Sequence, residues 1–291
     1  METLSQSNFG STLRAYYQLS KPGIVFGNAM TAFGGVALAS HSGMDLWLLL
    51  TTLLGLCLIM AAGCVSNNYL DRNSDKKMAR TKGRALVVGA ISLQAAKIFS
   101  AVLCVLGTLL LAVFTNPLTV SIALFGLFVY LVLYSTLKYH SVHATLIGSV
   151  AGAVPPVVGY CAVTNRLDGA AFLLFAVLVF WQMPHFYAIA IYRLKEYAAA
   201  AIPVLPLKRG VQATKVQMLL YTIGFIGAST SLGLLGYVGL PYLVVSTVLG
   251  GSWLYLCIKG FKARNETVWA RKMFILSLVV ITALCVLIPF N

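Results

Sequence analysis

Asn67, Asp71 and Asp75 are the residues of this sequence with the clearest potential for chemistry. They lie in the string NNYLDRNSDKKMART, at the end of a long apolar run. The two aspartates belong to a set of only seven acidic residues (Glu2, Asp45, Asp71, Asp75, Asp168, Glu196 and Glu266). A spacing of four predicts that all three side chains leave nearly one face of a helix. Two carboxylates one turn apart repel, and a divalent cation removes that repulsion. Hard oxygen donors in this array suit Mg²⁺, which takes one or two carboxylates and fills its other positions with water and substrate phosphates. The plainer reading is a helix end whose acids pair with Arg72, Lys76 and Arg80.

The surroundings favour phosphate. Six basic residues lie between positions 72 and 84. With Mg²⁺ on one side of a diphosphate, Arg72, Arg80, Lys82 and Arg84 are candidates to hold the other by charge-assisted hydrogen bonds. Taken singly, each of these cations is as well explained by topology and lipid headgroups. Tyr134 and Lys138, in YSTLK, form a second element. At i and i+4 the phenol and ammonium share a helix face, where Lys138 caps the same diphosphate and Tyr134 offers a hydroxyl or a π-face. A third element holds Arg193 and Glu196, whose carboxylate either pairs locally or orients Arg193. Of the four histidines, His185 follows Pro184 deep in an apolar run, where an ionisable group marks a functional site. His140 and His143 lie just past Lys138, and His41 sits in a short connection. The sequence contains no Cys/His set that would imply a permanent metal site.

The elements that must position these residues are membrane helices. Apolar residues make up 59% of the 291 residues and charged residues 10%, against about 25% charged in soluble domains. Nine spans are predicted, near 24–40, 46–66, 97–114, 117–137, 145–163, 169–192, 216–236, 240–258 and 273–290. All 21 lysines and arginines except Arg166 then fall on the face that carries the N-terminus. By the positive-inside rule the N-terminus is cytoplasmic and the C-terminus outside. The net charge of +14 therefore reports topology, not nucleic-acid binding. No cleavable signal peptide is expected, because the first 20 residues are polar and mixed. The six cysteines all fall inside spans and read as small packing residues.

The expected architecture is all-α, a polytopic bundle of nine transmembrane helices around a central cavity open to the cytoplasmic side. It is read as one domain, residues 1–291. Its two long polar loops, 67–96 and 193–215, lie four spans apart and suggest an internal duplication. Pro184 should kink or interrupt the sixth span. Gly148, Gly152, Pro155, Pro156 and Gly159 should break the fifth.

Asn67-x-x-x-Asp71-x-x-x-Asp75 at the end of the second of nine spans resembles the intramembrane prenyltransferases of the UbiA superfamily, typified by 4-hydroxybenzoate polyprenyltransferase. The segments KPGIVFGN (21–28), NNYLDRNSDKKMARTKGR (67–84), YSTLKYHSVHATLIGSVAGAVPPVVGY (134–160) and WQMPHFYAIAIYRLKEYAAAAIPVLP (181–206) extend the resemblance along the chain. The His-Ser-Val, Pro-Pro and Trp-Gln-Met-Pro-His-Phe strings point to the haem O synthase branch. Where relatives carry a second aspartate pair after span six, only Glu196 stands here, which puts a second Mg²⁺ in doubt. The resemblance implies that Mg²⁺ and farnesyl diphosphate bind at the cytoplasmic mouth. The farnesyl group then passes to a vinyl group of haem B, with water addition, to give haem O. It further implies a bacterial cytoplasmic membrane location, surrounding membrane lipid, and a terminal oxidase or haem A pathway enzyme downstream. His185 is the first candidate to contact haem, as iron ligand or propionate partner, with His140 and His143 behind it. Tyr130, Tyr134, Phe186 and Tyr192 are candidate aromatic walls. Prenyl transfer to an aromatic or quinone precursor would use the same aspartates. Transport of an anionic substrate fits the broken helices, but no polar track continues to the outward face.

Overall fold

The computed structural model describes residues 9–40 and 43–290; His41 lies outside the described residues. Among these, nine helical segments are long and apolar enough to cross a membrane: Pro22–Ala39, Leu46–Asp75, Leu93–Phe114, Pro117–Leu137, Ala144–Thr164, Gly169–Tyr192, Gly210–Leu234, Leu240–Lys262 and Glu266–Leu287. They are called spans one to nine below. Their starts are written in local chemistry. Asp45, Ser92, Asn116, Asp168 and Asn265 each accept a backbone N–H in the first turn of spans two, three, four, six and nine, and Pro22, Pro117 and Pro241 occupy first-turn positions that need no donor.

Three spans extend past the apolar runs that announce them. Span two continues to Asp75, because NNYLDRNSD holds no Pro or Gly and Arg72 suits the last turn of a helix. Spans seven and nine begin at Gly210 and Glu266, before hydropathy places them. Their charges are neutralised on each other. Lys215 is fully buried and donates to the Gly260 carbonyl at 2.7 Å and to Glu266 Oε1 at 2.6 Å, with the Trp269 ring 5.1 Å away. This contact ties spans seven, eight and nine together at one end.

Two spans are irregular where the site is built. Span four widens into a π-helical segment at Val129–Tyr134, after which Ser135 donates to the Tyr130 carbonyl at 3.0 Å. Wide turns of this kind concentrate at functional sites. Span five breaks at Ala153 into Ala144–Gly152 and Val154–Thr164, ahead of two prolines that cannot donate to the preceding turn. Pro184, by contrast, does not interrupt span six, which is helical from Gly169 to Tyr192. Neighbouring spans on both sides hold that helix in place, and packing of this kind lets membrane helices keep an internal proline.

Each span packs on its neighbour in sequence, and contacts of span one with five, span six with nine, and span nine with one close the bundle. Large apolar side chains such as Leu54, Val105, Leu109, Ile223 and Ile275 point outward, as lipid contact requires. A short helix, Phe9–Leu19, precedes span one and lays Leu19 against Val65, Leu86 and Ile91. The tightest approach joins spans one and five. A Cβ on Gly35 would sit 1.9 Å from the Pro156 carbonyl oxygen, and one on Gly159 would sit 2.1 Å from that of Ala32. Small residues at such crossings let backbones touch. We expect Gly35→Ala or Gly159→Ala to destabilise the protein by about 1–3 kcal/mol, read as a lowered melting temperature in detergent. Gly27→Ala, which meets nothing within 4 Å, should leave the melt unchanged.

Candidate active site

Because span two runs straight to Asp75, Asn67, Asp71 and Asp75 share one helix, and the bundle surrounds them with cations. Lys138 of the connection after span four donates to Asp71 Oδ1. Tyr139 donates to the same oxygen at 2.7 Å. Arg84 Nη1 lies 2.7 Å from Asp75 Oδ2, and Asp75 is buried at 1% exposure. Lys21 Nζ donates to Asn67 Oδ1 at 2.6 Å. Lys21 sits in left-handed backbone (φ 50°), a conformation costly for a side chain that bears a Cβ. The turn stands just before Pro22 at the head of span one, and from it the ammonium reaches Asn67. Burial lowers the Lys21 ammonium to about 8. Burial also lowers Lys138, with Asp71 opposing.

The acids thus do not pair with Arg72, Lys76 or Arg80, their neighbours in sequence. Arg72 instead turns back on Tyr69, donating to its carbonyl at 2.8 Å and lying 4.6 Å from its ring centroid. Lys82 is exposed. Arg80 reaches across to the second polar loop, with its Nε 3.6 Å from Glu196 Oε2, while Arg193 donates to Glu196 Oε1 at 3.1 Å. Glu196 therefore bridges Arg80 and Arg193 and joins the two loops.

Tyr134 stacks on Tyr130 with centroids 5.7 Å apart and rings nearly parallel. Its face lies 5.4 Å from the Lys138 ammonium. Gly148 of span five lets the Tyr134 ring approach: a Cβ there would come within 3.0 Å of it. The π-helical segment positions this pair beside the acids. Phe186 and Tyr192 belong to a different cluster, between spans six and nine. There His185 stacks on Trp181 at 4.7 Å and lies 4.9 Å from Phe274, which also meets Tyr192. His185 Nδ1 is 2.7 Å from Ser277 Oγ, and Ser277 Oγ donates its own proton to the Phe274 carbonyl at 2.6 Å. The Ser277 oxygen must then accept from Nδ1–H, which assigns the tautomer and leaves the lone pair on Nε2. His140 and His143 are exposed on the connection that follows Lys138.

Sequence reasoning missed Tyr139, Lys21 and Ser277. Tyr139 directly follows Lys138, and Lys21 opens the KPGIVFGN segment; Ser277 left no local signal.

Among the described residues no three His, Cys, Asp or Glu side chains gather closely enough to cage a metal. The donor set nonetheless suits a hard cation shared with substrate phosphates. Asp71 and Asp75 each engage one oxygen and leave Asp71 Oδ2 and Asp75 Oδ1 uncommitted. The Asn67 carbonyl oxygen keeps a second lone pair, and its buried Nδ2 has no partner. Three cations (Lys21, Arg84 and Lys138) face two carboxylates, so the site is net positive before any metal enters and attracts an anion.

A family model described as the UbiA prenyltransferase family matches residues 28–279. Among curated relatives, the protoheme IX farnesyltransferase of Protochlamydia amoebophila (strain UWE25) is 49% identical over 276 residues, covering 95% of this chain and 98% of that protein. That of Edwardsiella ictaluri (strain 93-146) is 48% identical, covering 96% and 95%. Among solved structures, one of a digeranylgeranylglyceryl phosphate synthase superposes with TM-score 0.79 at 20% identity, over 96% of this chain and 99% of that one. A UbiA homolog from Archaeoglobus fulgidus bound to DMAPP and Mg²⁺ superposes with TM-score 0.74 at 14% identity, over 94% and 99%. These two structures establish the fold.

Proposed function

Because the chain belongs to the UbiA prenyltransferase family, we propose that it transfers a farnesyl group from farnesyl diphosphate to a vinyl group of haem B and yields haem O. Relatives named protoheme IX farnesyltransferase, nearly half identical over almost the full length, support this acceptor. The observation that carries the chemistry is the oxygen array of Asn67, Asp71 and Asp75 ringed by Lys21, Arg84 and Lys138.

In this reading Asp71 and Asp75, with Asn67, hold Mg²⁺, as the Mg²⁺-bound structure of a fold neighbour favours. When bound, the metal neutralises charge on the departing diphosphate. Lys138 and Arg84 exchange their carboxylates for phosphate oxygens and stabilise the negative charge that develops as the C1–O bond breaks. Arg80 and Arg193, gathered by Glu196, approach from the second loop. Arg72, engaged with Tyr69, and exposed Lys82 contribute long-range positive charge. The stacked Tyr130 and Tyr134 present π-faces to the allylic cation and keep water from it. The terminal vinyl carbon of haem bonds to farnesyl C1. Water then adds to the adjacent carbon with loss of a proton, giving the hydroxyethylfarnesyl group. His185, with its Nε2 lone pair free, is the candidate iron ligand. A metal-bound imidazole ordinarily donates its other N–H to an oxygen, as His185 does to Ser277.

The chain works as one membrane domain whose two polar loops act together across the Arg80–Glu196 pair. Its place is the bacterial cytoplasmic membrane, with N-terminus and site inside and C-terminus outside. A terminal oxidase or an enzyme of haem A formation receives the product. The test is turnover by the purified protein given farnesyl diphosphate, Mg²⁺ and either haem B or 4-hydroxybenzoate. Farnesylated, hydrated haem should accumulate, 4-hydroxybenzoate should remain unchanged, and chelation of divalent cations should stop the reaction. Prenylation of 4-hydroxybenzoate with haem untouched would replace this acceptor by the quinone-precursor class.

A further inference from the structure

Gln182 of span six is 5% exposed, and its buried side-chain oxygen Oε1 has no hydrogen-bond partner. An amide oxygen left so inside an apolar bundle is costly. The room around it is made by glycine. A Cβ on Gly152 of span five would come within 2.6 Å of Gln182 Oε1, so a side chain there would push the amide aside. Gly152 is also where span five breaks. In an unbroken helix the carbonyls of Ala151 and Gly152 would accept from residues 155 and 156, which are prolines with no N–H. Ala151 and Gly152 are half-buried, so packing does not seal the break. One acceptor without a donor and two carbonyls deprived of their helical donors thus gather at one level of the bundle.

That level lies one turn beneath the reacting groups. Gly148, roughly 6 Å along the helix from Gly152, is the glycine whose Cβ would come within 3.0 Å of the Tyr134 ring. Tyr134 in turn lies 5.4 Å from the Lys138 ammonium, which donates to Asp71. His185 and Phe186 follow Gln182 by three and four residues on the same face of span six, with His185 roughly 5 Å further along the helix. Span six runs from there to Arg193, which shares Glu196 with Arg80 at the end of the bundle that carries the acids. Neither substrate offers a donor at the depth of Gln182. A farnesyl chain has none, and the carboxylates of haem only accept. Water is the donor that Oε1 lacks. A water that donates to Oε1 and to a carbonyl of Ala151 or Gly152 keeps a lone pair free.

We propose that Gln182 holds the water that hydrates the alkylated vinyl group, an inference that rests on the haem reading of the function. Once the terminal vinyl carbon has bonded to farnesyl C1, the adjacent carbon is a cation. The lone pair of the held water forms the C–O bond, and the proton that this oxygen sheds passes to the diphosphate released in the first step. Gln182 is a positioning residue and neither gains nor loses a proton. Gln182→Met keeps the length of the side chain and removes the acceptor. Without a held water the cation instead loses a proton from the carbon bonded to farnesyl, leaving an alkene one water lighter than haem O. In the test, the purified wild type, Gln182→Met, Gln182→Glu and Gly152→Ala are given farnesyl diphosphate, Mg²⁺ and haem B, and the two products are resolved by mass. The ratio of alkene to hydrated product should rise about tenfold in Gln182→Met and in Gly152→Ala, the scale of one lost hydrogen bond. KM for each substrate should stay within about twofold. Gln182→Glu, which keeps an acceptor oxygen in place, should retain the wild-type ratio. A wild-type ratio in Gln182→Met would overturn the proposal. So would loss of all product with both substrates still bound, which would assign Gln182 to the alkylation step. A ratio in Gln182→Glu as altered as in Gln182→Met would also overturn it and make the amide a packing group. If Gln182→Met does not fold, Gly152→Ala decides by the same ratio. A wild type that forms neither haem product would instead sink the parent reading.

Discussion

Asp71→Asn is expected to lower kcat/KM by at least about 10³-fold while leaving the protein folded. The asparagine keeps the side-chain size, and its oxygen still accepts from Tyr139 and Lys138. What it loses is the charge that binds a divalent cation beside Asp75. Asp75→Asn should do the same from the other side, and it also strands the Arg84 guanidinium, now 2.7 Å from the Asp75 carboxylate. Product measured by mass and chromatography reads the loss. An unchanged melting temperature and unchanged haem binding separate a chemical defect from misfolding. Turnover close to wild type in either variant would remove the aspartates from the chemistry.

His185→Ala should weaken haem binding by about two orders of magnitude and leave binding of farnesyl diphosphate near normal. The sharper experiment is Ser277→Ala. It removes no metal ligand, yet it frees the imidazole to change tautomer and orientation, because Ser277 Oγ accepts from Nδ1. Loss of such an outer partner ordinarily costs 10–100-fold in metal affinity, so about tenfold weaker haem binding is expected, with a changed Soret position. If His185 serves only to pack spans six and nine, Ser277→Ala will lower the melting temperature without moving haem affinity or its spectrum.

The architecture could be read from the sequence because each span satisfies its own backbone, so apolar length alone finds it. Hydropathy fell short at the polar end of span two and where charge is cancelled by a partner far along the chain, as between Lys215 and Glu266. The Asn67, Asp71, Asp75 array was legible for a local reason: a helix turns every 3.6 residues. The fifth span's break at Ala153 followed from the prolines after it. The partners of the array were not legible. Lys21 meets Asn67 across 46 residues, Tyr139 meets Asp71 across 68, and Ser277 meets His185 across 92. Such contacts are set by which spans pack together, and no periodicity encodes that. The π-helical segment of span four also escaped, since VYLVLY reads as ordinary apolar helix. The same limit explains why the plainer reading of the acids paired them with nearby Arg72, Lys76 and Arg80, although Arg72 is held by Tyr69 and Arg80 by Glu196.

The most direct measurement is binding of a non-cleavable farnesyl thiodiphosphate to the purified protein, with and without divalent cation, in the wild type and in the Asp71→Asn/Asp75→Asn double variant. The wild type should bind tightly only when Mg²⁺ or Mn²⁺ is present, and the double variant should show no metal-dependent gain. Tight binding by the wild type in chelator, or an undiminished metal-dependent gain in the double variant, would contradict a metal-held diphosphate at the end of span two.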